Sequence, residues 1–197
     1  MTFEGDSALI VPIPAADPVI HRWRVLHDSA AAAGVLAHVT VLFPFVPRAE
    51  IDGEVEATVT RVLAPFPAFV CRLAEVRWFG DEVAYLAPEP DVTFRRVLTA
   101  MWAAFPDHPP YEGVHAAPTP HVTIGHQGPG LDEAVRAVEE TTADRIGGRS
   151  GGVDHPDGGM VVHHRNLPAA GRVSRVALRA VAWLHPPKGR RSECRAG

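Results

Sequence analysis

The chain has 197 residues, of which 46% are hydrophobic and 21% charged, values typical of a folded protein with a buried core. Its net charge of −4 shows no global basic surface for long nucleic acids; a local basic patch stays open, but a small or terminal substrate is the simpler expectation. Cys71 and Cys194 form no disulfide framework, and residues 8–14 form an apolar run too short for a membrane span and without a basic signal flank. These features favour a cytoplasmic protein in a reducing compartment.

The first half of the chain predicts strands alternating with helices. A buried strand over 7–13 precedes a helix that begins at Asp17-Pro18 and is predicted to continue to Gly34. A second strand follows over 38–43. The spacing of apolar residues then predicts a second helix, whose face carries Ile51, Val55, Val59 and Val62.

The second half repeats this alternation. A long strand over 66–78 changes its apolar phase near Ala74, which predicts a bulge, and a strand over 83–87 returns beside it. After a proline-rich loop and a strand around 120–124, a helix runs to about residue 143, and a last strand begins at 173. The clearest helix of the chain lies between the strands, with apolar residues at helical spacing: Phe94, Val97, Leu98, Met101, Trp102 and Phe105.

Two short motifs stand 83 residues apart in similar surroundings, His38-Val39-Thr40 and His121-Val122-Thr123. Side chains alternate between the faces of a strand, so the histidine and threonine of each motif point the same way, and the valine points to the core. Two such strands facing each other would surround one space with two imidazoles and two hydroxyls. We therefore interpret the chain as a weak internal duplication, in which each half supplies one motif.

The paired motifs resemble those of the 2H phosphoesterase superfamily, and more closely those of bacterial 2'-5' RNA ligase family proteins. The resemblance is carried by residues 36–47 (LAHVTVLFPFVP), 83–90 (VAYLAPEP) and 105–126 (FPDHPPYEGVHAAPTPHVTIGH), and more weakly by 167–178 (LPAAGRVSRVAL). A single His-x-Thr triplet occurs by chance, whereas the pair with these flanks is specific. The chain departs from the family pattern in a Gly/His-rich insertion at 147–166 and in the tail after residue 183.

The resemblance implies an α+β, bilobal and duplicated fold, with two antiparallel-rich sheets flanked by helices and an active-site cleft between them. We expect a single such domain over residues 1–183, a flexible insertion at 147–166 and a disordered tail over 184–197. The implied activity acts on 2',3'-cyclic phosphates or 2'-5' phosphodiester bonds of an RNA terminus or a small cyclic nucleotide. The resemblance implies no cofactor, ATP or metal, and we expect a monomer that does not bind membranes.

The four motif residues His38, Thr40, His121 and Thr123 are the candidate catalytic set. Opening a cyclic phosphate needs one group that deprotonates the nucleophile and one that protonates the leaving oxygen, and histidine performs both near neutral pH. The threonines would donate hydrogen bonds to non-bridging phosphate oxygens, where negative charge accumulates. For hydrolysis we favour His121 as base and His38 as acid, and the roles exchange in the reverse direction.

The remaining candidates have structural explanations that are at least as good. His126 is interpreted as a solvated loop residue rather than a pocket residue. On the first helix, His21 and His27 are expected to be surface or partly buried residues rather than functional ones. Surface charge is the simplest assignment for Arg48, Arg72 and Arg77, although each arginine could contact phosphate or ribose. Core or loop packing explains Phe45, Tyr85 and Tyr111 as well as base stacking does. A metal site built from His155, His163 and His164 is disfavoured, because no Cys or carboxylate spacing supports it.

Two other functions stay open. A nucleotide- or RNA-binding module with little turnover would use the same cleft, but binding alone does not need two titratable groups. A metal-dependent hydrolase centred on the insertion is the weaker alternative. The motifs do not identify the substrate-binding residues, the physiological substrate or the direction of the reaction.

Overall fold

A computed structural model describes residues 7–114, 118–143 and 172–176. Within these residues the strands form two antiparallel sheets, a small one and a larger one. The small sheet contains β1 (Leu9–Pro12) and β2 (His38–Leu42), and the larger contains β3 (Phe69–Phe79), β4 (Val83–Glu89), β5 (Val122–His126) and β6 (Arg172–Val176). The strand order in the larger sheet is β5-β4-β3-β6. The predicted bulge in the long strand is confirmed, since the β3–β4 register shifts between Leu73 and Glu75.

Helices flank both sheets, which confirms the expected α+β class. They are α1 (Asp17–His27), α2 (Ser29–Ala32), α3 (Gly53–Leu63), α4 (Val92–Ala104) and α5 (Leu131–Ala143), with short 3-10 turns at Arg48–Glu50 and Pro110–Gly113. Pro18 occupies the first turn of α1, and the Asp52 carboxylate accepts hydrogen bonds from two backbone N–H groups at the start of α3. The apolar stripe predicted for α4 is confirmed as core.

The helix predicted to continue from Asp17 to Gly34 is wrong, because two helices occupy this segment. The backbone of Asp28 is extended, with φ −135° and ψ 112°, and this ends α1. The Asp28 carboxylate then accepts a 3.0 Å hydrogen bond from the N–H of Ala30 and so begins α2. The apolar residues keep helical spacing across Asp28, so the spacing alone did not predict that this residue ends one helix and caps the next.

The helices cross between the two halves of the chain. Helix α1, from the first half, packs on β5 of the larger sheet, while α4, from the second half, packs on β2 of the small sheet. Likewise α1 contacts α5, and α3 contacts α4. One hydrophobic core consequently runs through both halves, and neither sheet is covered by its own helices alone.

Gly125 permits the close approach of α1 to β5. A Cβ at this position would collide with the Cβ of His27 and contact the side chain of Leu131. The backbone of β5 can therefore come close to both α1 and α5 only where a side chain is missing. In the described part of the chain, no helix is long and apolar enough to cross a lipid bilayer. The predicted insertion and tail, at 147–166 and 184–197, lie outside the described residues.

Candidate active site

Each His-Val-Thr motif lies at the beginning of a strand. His38 is the first residue of β2, and His121 directly precedes β5. The intervening Val39 and Val122 are buried in the core, as the alternation predicted, whereas the motif histidines and threonines are half-buried. Although β2 and β5 belong to different sheets, their Cα atoms come within 8 Å of each other. The fold thus brings the two motif strands together.

The two strands share an irregularity that extends the duplication beyond the motifs. The pairing between β1 and β2 skips Val41, the residue after Thr40. The pairing between β4 and β5 skips Ile124, the residue after Thr123. A bulge of this kind bends a strand and changes the direction of nearby side chains, and such bulges are common beside active sites. Because it occurs at equivalent positions, the two halves have the same local backbone irregularity directly after the motif threonine.

A second shared feature fixes the tautomer of each neutral imidazole. The Nδ1 of His38 lies 2.8 Å from the carbonyl oxygen of Leu36, and the Nδ1 of His121 lies 2.8 Å from that of Thr119. A carbonyl oxygen can only accept a hydrogen bond, so each Nδ1 carries a proton and donates it. The Nε2 of each ring is left as the atom that gains or loses a proton. Both histidines are therefore held in the same tautomer by the residue two positions earlier.

Burial lowers the pKa of both imidazoles below the ordinary value of 6.5, and the backbone hydrogen bonds oppose this effect in part. The pKa of His38 is lowered further by the charge of Arg24, raised by Asp28 and lowered by His121. The pKa of His121 is lowered further by His126. Among the charges that lower the pKa of His38, His121 contributes least, and its contribution shows that the two imidazoles lie within electrostatic reach of each other.

A buried ion pair lies beside His38. Arg24 is 1% exposed, and its guanidinium contacts the Asp28 carboxylate at 2.7 Å and 3.1 Å. The same guanidinium donates a 3.0 Å hydrogen bond to the carbonyl oxygen of Val35. Val35 immediately precedes Leu36, whose carbonyl accepts the proton of His38. Arg24 therefore holds the backbone segment that orients the imidazole.

Aromatic rings lie beside His121. Its ring makes T-shaped contacts with Phe79, at a centroid distance of 4.9 Å, and with Tyr85, at 5.5 Å. The rings of Phe79 and Tyr85 stack on each other at 4.2 Å with an interplanar angle of 22°. The two motif histidines thus have equivalent backbone anchors and different neighbours.

A profile of the 2'-5' RNA ligase superfamily matches residues 11–179, a segment that contains both motifs. The chain belongs to this superfamily. It is accordingly a member of the wider 2H phosphoesterase superfamily, as the paired motifs predicted. Members of the 2'-5' RNA ligase superfamily are generally phosphoesterases or ligases, which suggests an RNA or nucleotide substrate here. No curated protein matches the sequence significantly.

Tyr111 extends the candidate site of this superfamily member on the side of Thr40. The hydroxyl groups of Tyr111 and Thr40 share a hydrogen bond, and burial raises the pKa of Tyr111 above its ordinary value. The backbone of Tyr111 has a φ of 52°, unusual for a residue with a side chain, and its N–H donates a 2.6 Å hydrogen bond to the Phe43 carbonyl. The strained turn places this hydroxyl against the motif threonine.

The remaining sequence candidates differ in their burial, and Tyr85 among them packs against His121. Phe45 and Tyr85 are buried and present no free face for a base, while Arg48, Arg72 and Arg77 are exposed. Arg77 is engaged by Glu75 at 2.6 Å. His21 is exposed on α1, and His126 is exposed at the end of β5. His155, His163 and His164 lie outside the described residues.

Sequence reasoning did not identify three neighbours of the motif histidines, namely Arg24, Asp28 and Phe79. The four-residue spacing of Arg24 and Asp28 on a predicted helix was a usable signal for an ion pair. Nothing in the sequence indicated that this pair is buried, or that Phe79 lies against His121, because both facts depend on packing between distant segments.

Proposed function

We propose that this protein is a metal- and ATP-independent phosphoesterase that acts on a 2',3'-cyclic phosphate or a 2'-5' phosphodiester bond of RNA ends or small nucleotides. The proposal rests on one observation above all: two half-buried imidazoles on strands that approach within 8 Å, each with Nδ1 bound to a carbonyl and Nε2 left for proton transfer. The family membership supports phosphoester chemistry at this site. We further propose that the enzyme acts in the cytoplasm.

In the proposed hydrolysis, the Nε2 of one neutral imidazole takes a proton from water as the water oxygen bonds to phosphorus. The bond between phosphorus and one ribose oxygen breaks, and that oxygen takes the proton from the Nε2 of the other, protonated imidazole. The product is a phosphomonoester, and one proton has moved from one histidine to the other. We assign the base to His121 and the acid to His38.

Thr40 and Thr123 complete the proposed mechanism as hydrogen-bond donors to the non-bridging phosphate oxygens. Each lies two residues after its histidine and directly before a bulge, so the two hydroxyls are carried by equivalent backbone positions. Donors fixed before the reaction stabilise charge that develops in the transition state without reorganising. Tyr111 can hold the Thr40 hydroxyl in a defined direction through their shared hydrogen bond.

The decisive experiment is a substrate panel in EDTA, with 2',3'-cyclic nucleotides and 2'-5'-linked dinucleotides, in which chromatography identifies the position of the product phosphate. We expect His38→Ala and His121→Ala each to lower kcat/KM by about 10²–10⁴-fold. Thr40→Val and Thr123→Val should each lower it by about 10²–10³-fold. The exposed His21→Ala is the matched control and should retain wild-type turnover.

Wild-type turnover in both His38→Ala and His121→Ala would remove the chemistry from this pair. Nucleotide binding without turnover in the wild-type protein would instead favour a binding module. Activity that is lost in EDTA and restored by a divalent metal would favour the metal-dependent alternative. Activity that survives both EDTA and deletion of residues 150–164 would eliminate that alternative.

A further inference from the structure

Phe79 is a large apolar side chain that remains 37% exposed next to a candidate catalytic imidazole. It is the last residue of β3, beside the turn that leads into β4. Its stacking partner Tyr85 is only 5% exposed, so Phe79 covers Tyr85 and presents the accessible aromatic surface of the pair. An exposed ring supported from behind is suited to stacking against a flat ligand.

The three ring positions show that His121 does not cover the outer face of Phe79. If His121 lay on that face, its distance from Tyr85 would approach the sum of the Tyr85–Phe79 and Phe79–His121 distances. The observed distance between His121 and Tyr85 is only 5.5 Å, little more than the 4.9 Å between His121 and Phe79. The imidazole therefore lies beside the stacked pair, against both rings, and does not cover the face of Phe79 that is turned away from Tyr85.

We propose that Phe79 is a stacking platform for the nucleobase attached to the reacting phosphate, so that the substrates are nucleotides rather than base-free sugar phosphates. This inference deepens the proposed function and rests on it. In a nucleotide the base and the phosphate are held by the same ribose, and the ring centroids of Phe79 and His121 lie 4.9 Å apart, so a base stacked on Phe79 would keep its phosphate near the imidazole. Stacking accepts any base, and the larger ring system of purines favours them over pyrimidines.

A purely structural role for Phe79 is the competing explanation, since its ring also packs against His121 and Tyr85. The two roles differ in their dependence on the substrate. Loss of packing would misplace the imidazole and slow the reaction of every phosphoester. Loss of a stacking face would affect only substrates that carry a base.

The test compares adenosine 2',3'-cyclic phosphate with methyl riboside 2,3-cyclic phosphate, which lacks a base. Phe79→Leu keeps apolar packing but removes the aromatic face, and Phe79→Trp retains an aromatic face. We expect Phe79→Leu to lower kcat/KM for the adenosine substrate by roughly 5- to 100-fold and to leave the base-free substrate within about 2-fold. Phe79→Trp should retain the preference for the adenosine substrate. Val70→Ala is the control, because Val70 is 51% exposed on the same strand, about 30 Å away along β3.

Equal losses for both substrates in Phe79→Leu would overturn the proposal, as would full activity of this variant on the adenosine substrate. If the wild-type protein turns over neither substrate, the proposed function fails, and equilibrium dialysis with adenosine 2'- and 3'-monophosphate then tests the platform on its own. Weaker binding to Phe79→Leu than to the wild type and Phe79→Trp would support the platform. Equal binding to all three would contradict it.

Discussion

Beside His38 the packing is charged, whereas beside His121 it is aromatic. In the first half of the chain the imidazole follows a backbone segment held by Arg24, while in the second half it lies against Phe79 and Tyr85. The backbone of the two motifs is nevertheless equivalent, with the same Nδ1 anchor at the same distance and the same bulge after the threonine. Local sequence thus gives the two imidazoles matching backbone settings, and tertiary packing makes their surroundings different.

The difference matters because the proposed reaction needs one neutral and one protonated imidazole at the same moment. Two identical imidazoles in identical surroundings would share the proton equally, and neither would be favoured as the acid. Charges near one ring and aromatic rings near the other remove this symmetry. The crossing of the helices contributes to this asymmetry, since α1 packs on β5 and also carries Arg24 to the segment before β2.

The largest expected effect separates the two imidazoles by their roles. In a nucleoside 2'-(4-nitrophenyl phosphate), the 3'-hydroxyl attacks phosphorus and expels 4-nitrophenolate, a leaving group that needs no general acid. In this direction the assignment makes His38 the base and His121 the acid. We expect His38→Ala to lose about 10²–10⁴-fold in rate, whereas His121→Ala loses far less. Absorbance of the released nitrophenolate measures both rates.

The same two variants on the matched 2'-5'-linked dinucleotide provide the control, because its alkoxide leaving group requires protonation. With this dinucleotide, both substitutions should lower the rate strongly. If His121→Ala were the more damaging variant with the nitrophenyl ester, the acid and base assignments would have to be exchanged. Equal damage by both variants would mean that both imidazoles do more than transfer protons.

A smaller effect is expected from the ion pair beside His38. Arg24→Met leaves the Asp28 carboxylate buried without its partner, which should lower the free energy of unfolding by about 3–5 kcal/mol. The chain offers a matched control in Arg95→Met, because Arg95 and Asp91 have the same four-residue spacing and a 2.7 Å contact but are 43% and 36% exposed. Loss of the exposed pair should cost about 1 kcal/mol or less in urea unfolding.

The double variant Arg24→Met with Asp28→Asn sharpens this comparison. It removes both charges and keeps a side-chain acceptor for the N–H that begins α2, so much of the stability lost in Arg24→Met should return. Similar losses for Arg24→Met and Arg95→Met would show that the buried pair is energetically equivalent to a surface pair. The role of Arg24 in holding the segment before His38 would then lose its support.

Many of the helices and strands could be predicted from the sequence because each depends on a short-range pattern of residues. The apolar stripe of α4, the phase change in β3 and the two motif strands each depend on periodicity within one element. The resemblance of the paired motifs supplied the duplication and the superfamily. Even so, the bulges after Thr40 and Thr123 could not be predicted, because a bulge is defined by the register with a partner strand.

The asymmetry of the site was beyond sequence reasoning for a different reason. Whether Arg24 is buried depends on how α1 packs on the larger sheet, and whether Phe79 meets His121 depends on the register of three strands. Tyr85 illustrates the same point, since a plausible base-stacking residue proved to be the buried support of an exposed one. Residue type and spacing do not contain this information.

The smallest expected effect concerns pH and compares the titration of the two imidazoles. For the free enzyme, kcat/KM rises with pH as the base loses its proton and falls as the acid loses its own, so the profile is bell-shaped with its centre midway between two apparent pKa values. Burial lowers the pKa of both rings below 6.5, with further lowering by Arg24 at His38 and by His126 at His121, while Asp28 opposes it at His38.

The maximum of kcat/KM should therefore fall below pH 6.5, and kcat should peak at a higher pH, since a bound phosphate anion favours the protonated imidazole. His126→Gln removes one charge near His121 and should move the profile to higher pH, whereas His21→Gln should not move it. A kcat/KM maximum above pH 7 would contradict the depressed pKa values, because two groups that titrate below 6.5 cannot give a bell centred above it.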